Sequence, residues 1–234
     1  MKKIIKISLI LLLVGMAVIS VVPFLKEKRA ERKYENGFKK IQESVTEKKS
    51  NVNGLVKKNK DCIGYVEIPG TTINYPVMQT KDNPDFYLNH DFNRNYSFYG
   101  TPYLSAYCDV EKSDNLIIYG HNINGGKMFG ALEQYKDKEF FYKHRKIYFT
   151  TDKKREYEVF AVMSVNIHEF EYWKFVMARD EKEYDEFVDK VEEHSLWRQG
   201  NKPKYGEQML MLSTCDNGKG DDWRIVLIAK CVYS

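Results

Sequence analysis

Residues 7–25, ISLILLLVGMAVISVVPFL, carry no charge, and this run divides the chain of 234 residues into a leader and a body. Nineteen residues of helix are about 28 Å long, close to a bilayer's hydrocarbon core. Lys2, Lys3 and Lys6 precede the run, and Lys26, Lys28, Arg29, Arg32 and Lys33 follow it. A cleaved signal peptide has a shorter apolar core and ends at a small-x-small site, and no A-x-A follows here. The run therefore predicts an uncleaved signal-anchor over 1–25, a single pass through the cell membrane and a domain on the outside. Basic residues on both flanks leave the orientation unsettled by charge.

The charge balance also changes along the chain. The first 60 residues hold 15 Lys and Arg against 5 Asp and Glu, whereas the rest hold 22 against 28. The body is acidic and offers no basic bulk to a nucleic-acid backbone, so no nucleic-acid partner is expected. Four cysteines without a CxxC argue against a disulfide scaffold and a zinc ribbon. No His, Cys and carboxylate cluster has ligand spacing, so neither a metal nor another cofactor is expected.

Ala30, Tyr34, Phe38, Ile41 and Val45 form one stripe at helical spacing, on a juxtamembrane helix that either lifts the body off the membrane or packs on it. With its linker this segment spans 26–54, Ser50-Asn51-Val52-Asn53-Gly54 reading as a break. The remainder, 55–234, reads as one domain of ordinary size, mainly β. Alternation and apolar runs predict strands over 63–68, 72–77, 116–119, 146–150, 157–165, 209–214 and 224–233. A short helix is expected over 128–135. A longer one is expected over 180–197, with Tyr184, Phe187, Val188 and Val191 as its apolar face. From the residues alone the body is a β-barrel or sandwich with helical insertions.

Three residues could carry chemistry. Cys215 ends the strand 209–214 and precedes a polar loop, where a thiol can meet a substrate; a buried apolar cysteine is the commoner fate. Cys231, inside the last strand, is expected in the core, and Cys62 and Cys108 near strand edges. His121 follows a short strand through Gly120, which lets the chain turn and present the imidazole. Arg224 opens the last strand nine residues after Cys215. If the two strands form a hairpin, both residues sit at one end of the sheet. Its guanidinium could hold a developing oxyanion or simply pair with Asp221 or Asp222. Together the three suit acyl transfer through a thioester.

Leu212-Ser213-Thr214-Cys215, with Arg224 opening the final strand, resembles the signature of sortases, membrane-anchored cysteine transpeptidases of Gram-positive bacteria. Tyr119-Gly120-His121-Asn122 resembles their histidine motif. Ile63-Gly64-Tyr65-Val66-Glu67-Ile68-Pro69-Gly70 and Ile73-Asn74-Tyr75-Pro76-Val77 resemble their early strands. Phe86-Tyr87-Leu88-Asn89-His90-Asp91-Phe92 and Met128-Phe129-Gly130 resemble class B in particular, as do the N-terminal helix and the insertion at 180–197. Met211 stands where the family usually has Thr. The resemblance implies an eight-stranded β-barrel with an N-terminal helix and a helical insertion before the Cys strand.

It also implies a reaction. Cys215 attacks the Thr carbonyl of a C-terminal sorting motif, Asn-Pro-X-Thr followed by Asn or Gly, in a secreted protein. His121 moves the proton, Arg224 holds substrate and oxyanion, and a peptidoglycan amine resolves the thioester. Leu88, Ser213 and Tyr172 are expected to line the groove. A thiol of pKa about 8.5 and an imidazole of about 6.5 leave only a minor fraction as the reactive ion pair at neutral pH. Three rivals are a papain-like cysteine peptidase of wall peptides, a non-catalytic binding module tethered to the membrane, and a sortase fold that mainly hydrolyses. The first usually places Cys before His, the reverse of the order here.

Overall fold

A computed structural model describes residues 2–46 and 52–233. The chain divides into two compact units, Met1–Glu43 and Ser44–Ser234. Helix α1 runs over Lys2–Thr46 and includes Pro23. Among the described residues, no helix is long and apolar enough to cross a membrane. That finding overturns the location expected from residues 7–25, a single pass through the cell membrane with the domain outside, and leaves the membrane as a partner without support. Lack of charge over the length of a bilayer is necessary for a span and does not by itself make one. Of the expected stripe, Phe38 is buried and Ile41 half-buried, while the side chains of Ala30, Tyr34 and Val45 lie outside the described residues.

Ser50 and Asn51 of the expected break lie outside the described residues, and the rest of it is helical. Helix α2, Val52–Lys58, buries Val52 and Leu55. These apolar positions override the turn-like composition of Asn53 and Gly54.

The second unit is built on strands β1 (Cys62–Glu67), β2 (Asn74–Met78), β3 (Tyr103–Leu104), β4 (Asn115–Tyr119), β5 (Asn122–Ile123), β6 (Lys127–Met128), β7 (Lys146–Thr150), β8 (Lys154–Asn166), β9 (Ser195–Arg198), β10 (Met209–Cys215) and β11 (Trp223–Tyr233). The main sheet has the order β11-β10-β4-β3-β2-β1-β7-β8-β9, and an added β11–β8 pairing closes it. Eight strands thus form a barrel, as expected, and β9 continues the edge of β8 beyond the end of β7. Closure leaves those eight strands without a free sheet edge, the feature that invites aggregation. β5 and β6 form a separate small ladder.

One pairing decides where chemistry can happen. β10 runs parallel to β4, with Ser213 opposite Tyr119. Parallel neighbours end at the same rim, so the residues that follow them, Cys215 and His121, emerge together. β11 runs antiparallel to β10 and begins at that rim, which sets Arg224 opposite Cys215. A parallel pair needs a long crossover. Here the crossover carries β5 to β9, α3 (Lys138–Lys143) and α4 (Glu181–Glu193).

α4 begins where Asp180 accepts a hydrogen bond from the Glu183 amide at 2.9 Å, an N-cap. It buries Tyr184, Phe187, Val188 and Val191, the expected apolar face. The helix stops at Glu193, so Leu196 and Trp197 belong to β9 rather than to a longer helix. The other expected helix, over 128–135, begins as strand β6 and continues as a 3-10 helix, Gly130–Lys136.

Gly120 joins β4 to His121, and its amide donates to the Ser213 carbonyl at 3.1 Å. A Cβ there would stand 2.7 Å from Cγ of Phe129, whose ring is fully buried. Gly120→Ala is therefore expected to overpack the turn and cost about 1–3 kcal/mol, read as a lower midpoint in urea unfolding with an unchanged slope.

Candidate active site

A cleft of about 560 Å³ opens at this rim and is lined by His121, Cys215 and Arg224 together. Leu88, Ser213 and Tyr172 also line it. Its volume is in the ordinary range for a ligand site, about 300–1,000 Å³. Tyr103, Tyr107, Tyr119 and Trp173 make the walls largely aromatic, and Asp85 adds a carboxylate.

Cys215 is half-buried at the end of β10, and its thiol is in no disulfide. Cys62 and Cys108 are buried, and burial pushes their thiols up, to about 12 and about 11. Both therefore stay protonated at neutral pH. Cys231, expected in the core, is half-buried because it lies near the outer end of β11, beyond the fully buried segment Ile225 to Ala229.

His121 directs Nε2 at the Leu88 carbonyl, 2.7 Å away. A carbonyl only accepts, so Nε2 carries the proton and, in the neutral ring, Nδ1 is the basic nitrogen. The ring also lies parallel to Phe98, 9° between planes and 6.4 Å between centroids. The other histidines have local duties. Nδ1 of His90, His144 and His194 sits 2.7, 3.1 and 2.8 Å from the carbonyls of Phe86, Phe140 and Lys190. His168 lies 3.7 Å from Asp222.

Arg224 pairs with neither Asp221 nor Asp222 through a carboxylate. Its Nη1 donates to the Asp221 and Trp223 carbonyls, at 2.5 and 2.9 Å. These bonds fix the guanidinium without neutralising it, and only one of its nitrogens is engaged by them. A permanent positive charge with donors to spare therefore faces the cleft.

Leu88 presents a side chain that is 39% exposed. Ser213 and Tyr172 form the floor instead: both are buried, and their hydroxyls are hydrogen-bonded at 2.7 Å. Burial pushes the Tyr172 phenol up to about 12, against the lowering effect of Ser213 and Arg224. Burial likewise raises the phenols of Tyr103 and Tyr119, with Asp85 and Tyr172 as the largest charge contributions. Tyr103, Tyr119 and Tyr172 thus keep their phenolic protons at neutral pH.

Two residues next to the reactive candidates escaped prediction. Asn122 donates through Nδ2 to the Cys215 carbonyl at 2.8 Å and to Glu133 at 2.7 Å. Asp216 is fully buried. Its carboxylate accepts from Lys136 and from Ser164, each at 2.6 Å. Burial acts to raise its pKa, but Lys136, Ser164 and the Gly218 amide outweigh that and hold it below the usual carboxylate range. Nothing in a lone Asp after Cys215 signals such a partner eighty residues away.

Residues 66–232 match the sortase domain family. Sortase B of Listeria monocytogenes is 32% identical over 194 residues, covering 78% of this chain and 78% of that protein. Sortase B of Staphylococcus aureus is 29% identical over 236 residues, covering 98% of this chain and 96% of that protein. A solved Staphylococcus aureus sortase B–substrate complex superposes with a TM-score of 0.78 at 27% identity, over 89% of this chain and 98% of that one. With the barrel, the parallel β4–β10 pair and the shared cleft, these matches lead to one assignment: the chain belongs to the sortase family and is a cysteine transpeptidase of the sortase B type.

Proposed function

We propose that the catalytic domain, residues 55–234, acts on a C-terminal sorting signal of the form Asn-Pro-X-Thr-Asn or Asn-Pro-X-Thr-Gly. In this reading Cys215 is the nucleophile, His121 the general acid and base, and Arg224 the oxyanion and substrate holder. The observation that carries it is the meeting of all three in one cleft, at the ends of adjacent strands. The likeness to a structure described as a sortase B–substrate complex supports the peptide as substrate.

In this reading the reaction runs through a thioester in two halves. Cys215 Sγ, as thiolate, adds to the Thr carbonyl carbon, and the oxygen takes negative charge beside the Arg224 guanidinium. The Thr–Asn or Thr–Gly bond breaks, and the imidazolium of His121 protonates the departing amine. A peptidoglycan amine then adds to the thioester while His121 takes its proton. The new amide forms and the thiolate leaves. Leu88 contacts the substrate side chain, and the Ser213–Tyr172 pair shapes the floor beneath it.

Cleavage of synthetic peptides by the full-length chain tests this reading. Peptides ending in Asn-Pro-X-Thr-Asn or Asn-Pro-X-Thr-Gly, each followed by a short tail, are expected to be cut after Thr. A scrambled peptide of the same composition is expected to stay intact. Equal cleavage of the scrambled peptide, or cleavage at another bond, contradicts the assignment.

A further inference from the structure

The residues that follow His121 and Cys215 are tied to one short element. Asn122 bonds Glu133 at 2.7 Å, and Asp216 bonds Lys136 at 2.6 Å. Glu133 and Lys136 both belong to the 3-10 helix Gly130–Lys136 and pair with each other at 2.7 Å. In a 3-10 helix the side chains at i and i+3 eclipse, so a single turn presents both groups to the same side. The tie is closed from three further directions. Asn122 also holds the Cys215 carbonyl, Ser164 on β8 holds the second oxygen of Asp216, and the Trp197 indole donates to the Lys136 carbonyl at 2.9 Å. None of these groups lines the cleft, and the proposed reaction gives none of them a proton to move.

We propose that Glu133 and Lys136 are positioning residues of the transpeptidase. Through Asn122 and Asp216 they hold His121 and Cys215 at a fixed separation at the rim shared by β4 and β10. The inference rests on the reading that His121 and Cys215 are the reactive pair. Misplacing a reacting group by an ångström from a distant site can cost about a hundredfold in rate, and the strap acts on that quantity rather than on peptide affinity.

Three variants of the full-length chain test it, assayed for kcat and KM on the cleaved peptide and for thermal unfolding. Lys136→Met is expected to lower kcat by roughly 10- to 100-fold with KM within about twofold. Lys136→Arg, which keeps the charge, is expected to restore most of it. Lys136→Met leaves Asp216 as a buried, unpaired charge and destabilises the fold. The double variant Lys136→Met, Asp216→Asn removes that charge, so its thermal midpoint is expected to recover while kcat stays low. An unchanged kcat in Lys136→Met, an effect confined to KM, or recovery of kcat together with stability in the double variant overturns the proposal. If Lys136→Met does not fold, the double variant decides alone. Cys215→Ala runs alongside: turnover that survives there refutes the reactive pair itself, a result distinct from failure of the strap.

Discussion

Cys215→Ala is expected to leave a folded chain without turnover, a loss of at least about 10⁴-fold in kcat. The fold survives because the thiol is not what holds this position. The Cys215 carbonyl is bonded by Asn122, its backbone pairs with Arg224, and the side chain is only half-buried. Removing one sulfur there costs about 1 kcal/mol, while no other cysteine can replace it. Cys62 and Cys108 are buried with raised pKa values, and neither they nor Cys231 line the cleft. Parallel unfolding and peptide-cleavage curves check both halves of the prediction. Residual turnover above about a thousandth of wild type assigns the chemistry elsewhere.

Arg224→Ala is expected to lower kcat by about 10²–10³-fold, the usual cost of losing one oxyanion donor. The structure makes this residue expendable for folding, since its guanidinium bonds only the neighbouring carbonyls of Asp221 and Trp223. No carboxylate pairs with it among the described residues, so no buried acid is left stranded by its removal. Arg224→Lys keeps the charge and loses the planar fork, and is expected to fall between Ala and wild type in kcat. A Lys variant equal to wild type would reduce the role to charge alone. An Ala variant that alters only KM would make Arg224 a binding residue.

Long apolar runs made much of this arrangement legible before the structure. Ile225 to Ala229 and Met209 to Leu212 are buried on both sides, which is why they read as strands without clean alternation. Their hairpin register places Arg224 opposite Cys215, as the loop length suggested. The parallel β4–β10 pair was not readable, because it joins segments separated by the whole insertion. Short elements were missed for a related reason. β5, β6 and the 3-10 helix Gly130–Lys136 owe their shape to partners such as Asn122, Glu133 and the buried Phe129, not to local propensity. Leu196 and Trp197 read as the end of the preceding helix, yet both lie in β9, where Trp197 pairs with Val162 of β8 and Leu196 falls at an irregularity in the register. The charge-free run at 7–25 misled in the opposite way: a strong local pattern implied a membrane span that no described helix provides.

The strap between the two site rims shows what sequence patterns omit most completely. His121 and Cys215 each carry a recognisable setting, a glycine before one and an apolar strand before the other. Asn122 stands in the histidine motif and Asp216 follows Cys215, but neither setting signals the bonds to Glu133 and Lys136, which only folding brings near.

The central claim is a thioester on Cys215, and intact mass tests it most directly. The full-length chain is mixed with Asn-Pro-X-Thr-Asn and Asn-Pro-X-Thr-Gly peptides, quenched in acid and weighed, with and without an added amine. The account predicts an adduct equal to the peptide up to its Thr residue, absent in Cys215→Ala and discharged by the amine as a new amide. Cleaved peptide that accumulates with no adduct under any quench time, or an adduct that persists in Cys215→Ala, would contradict it.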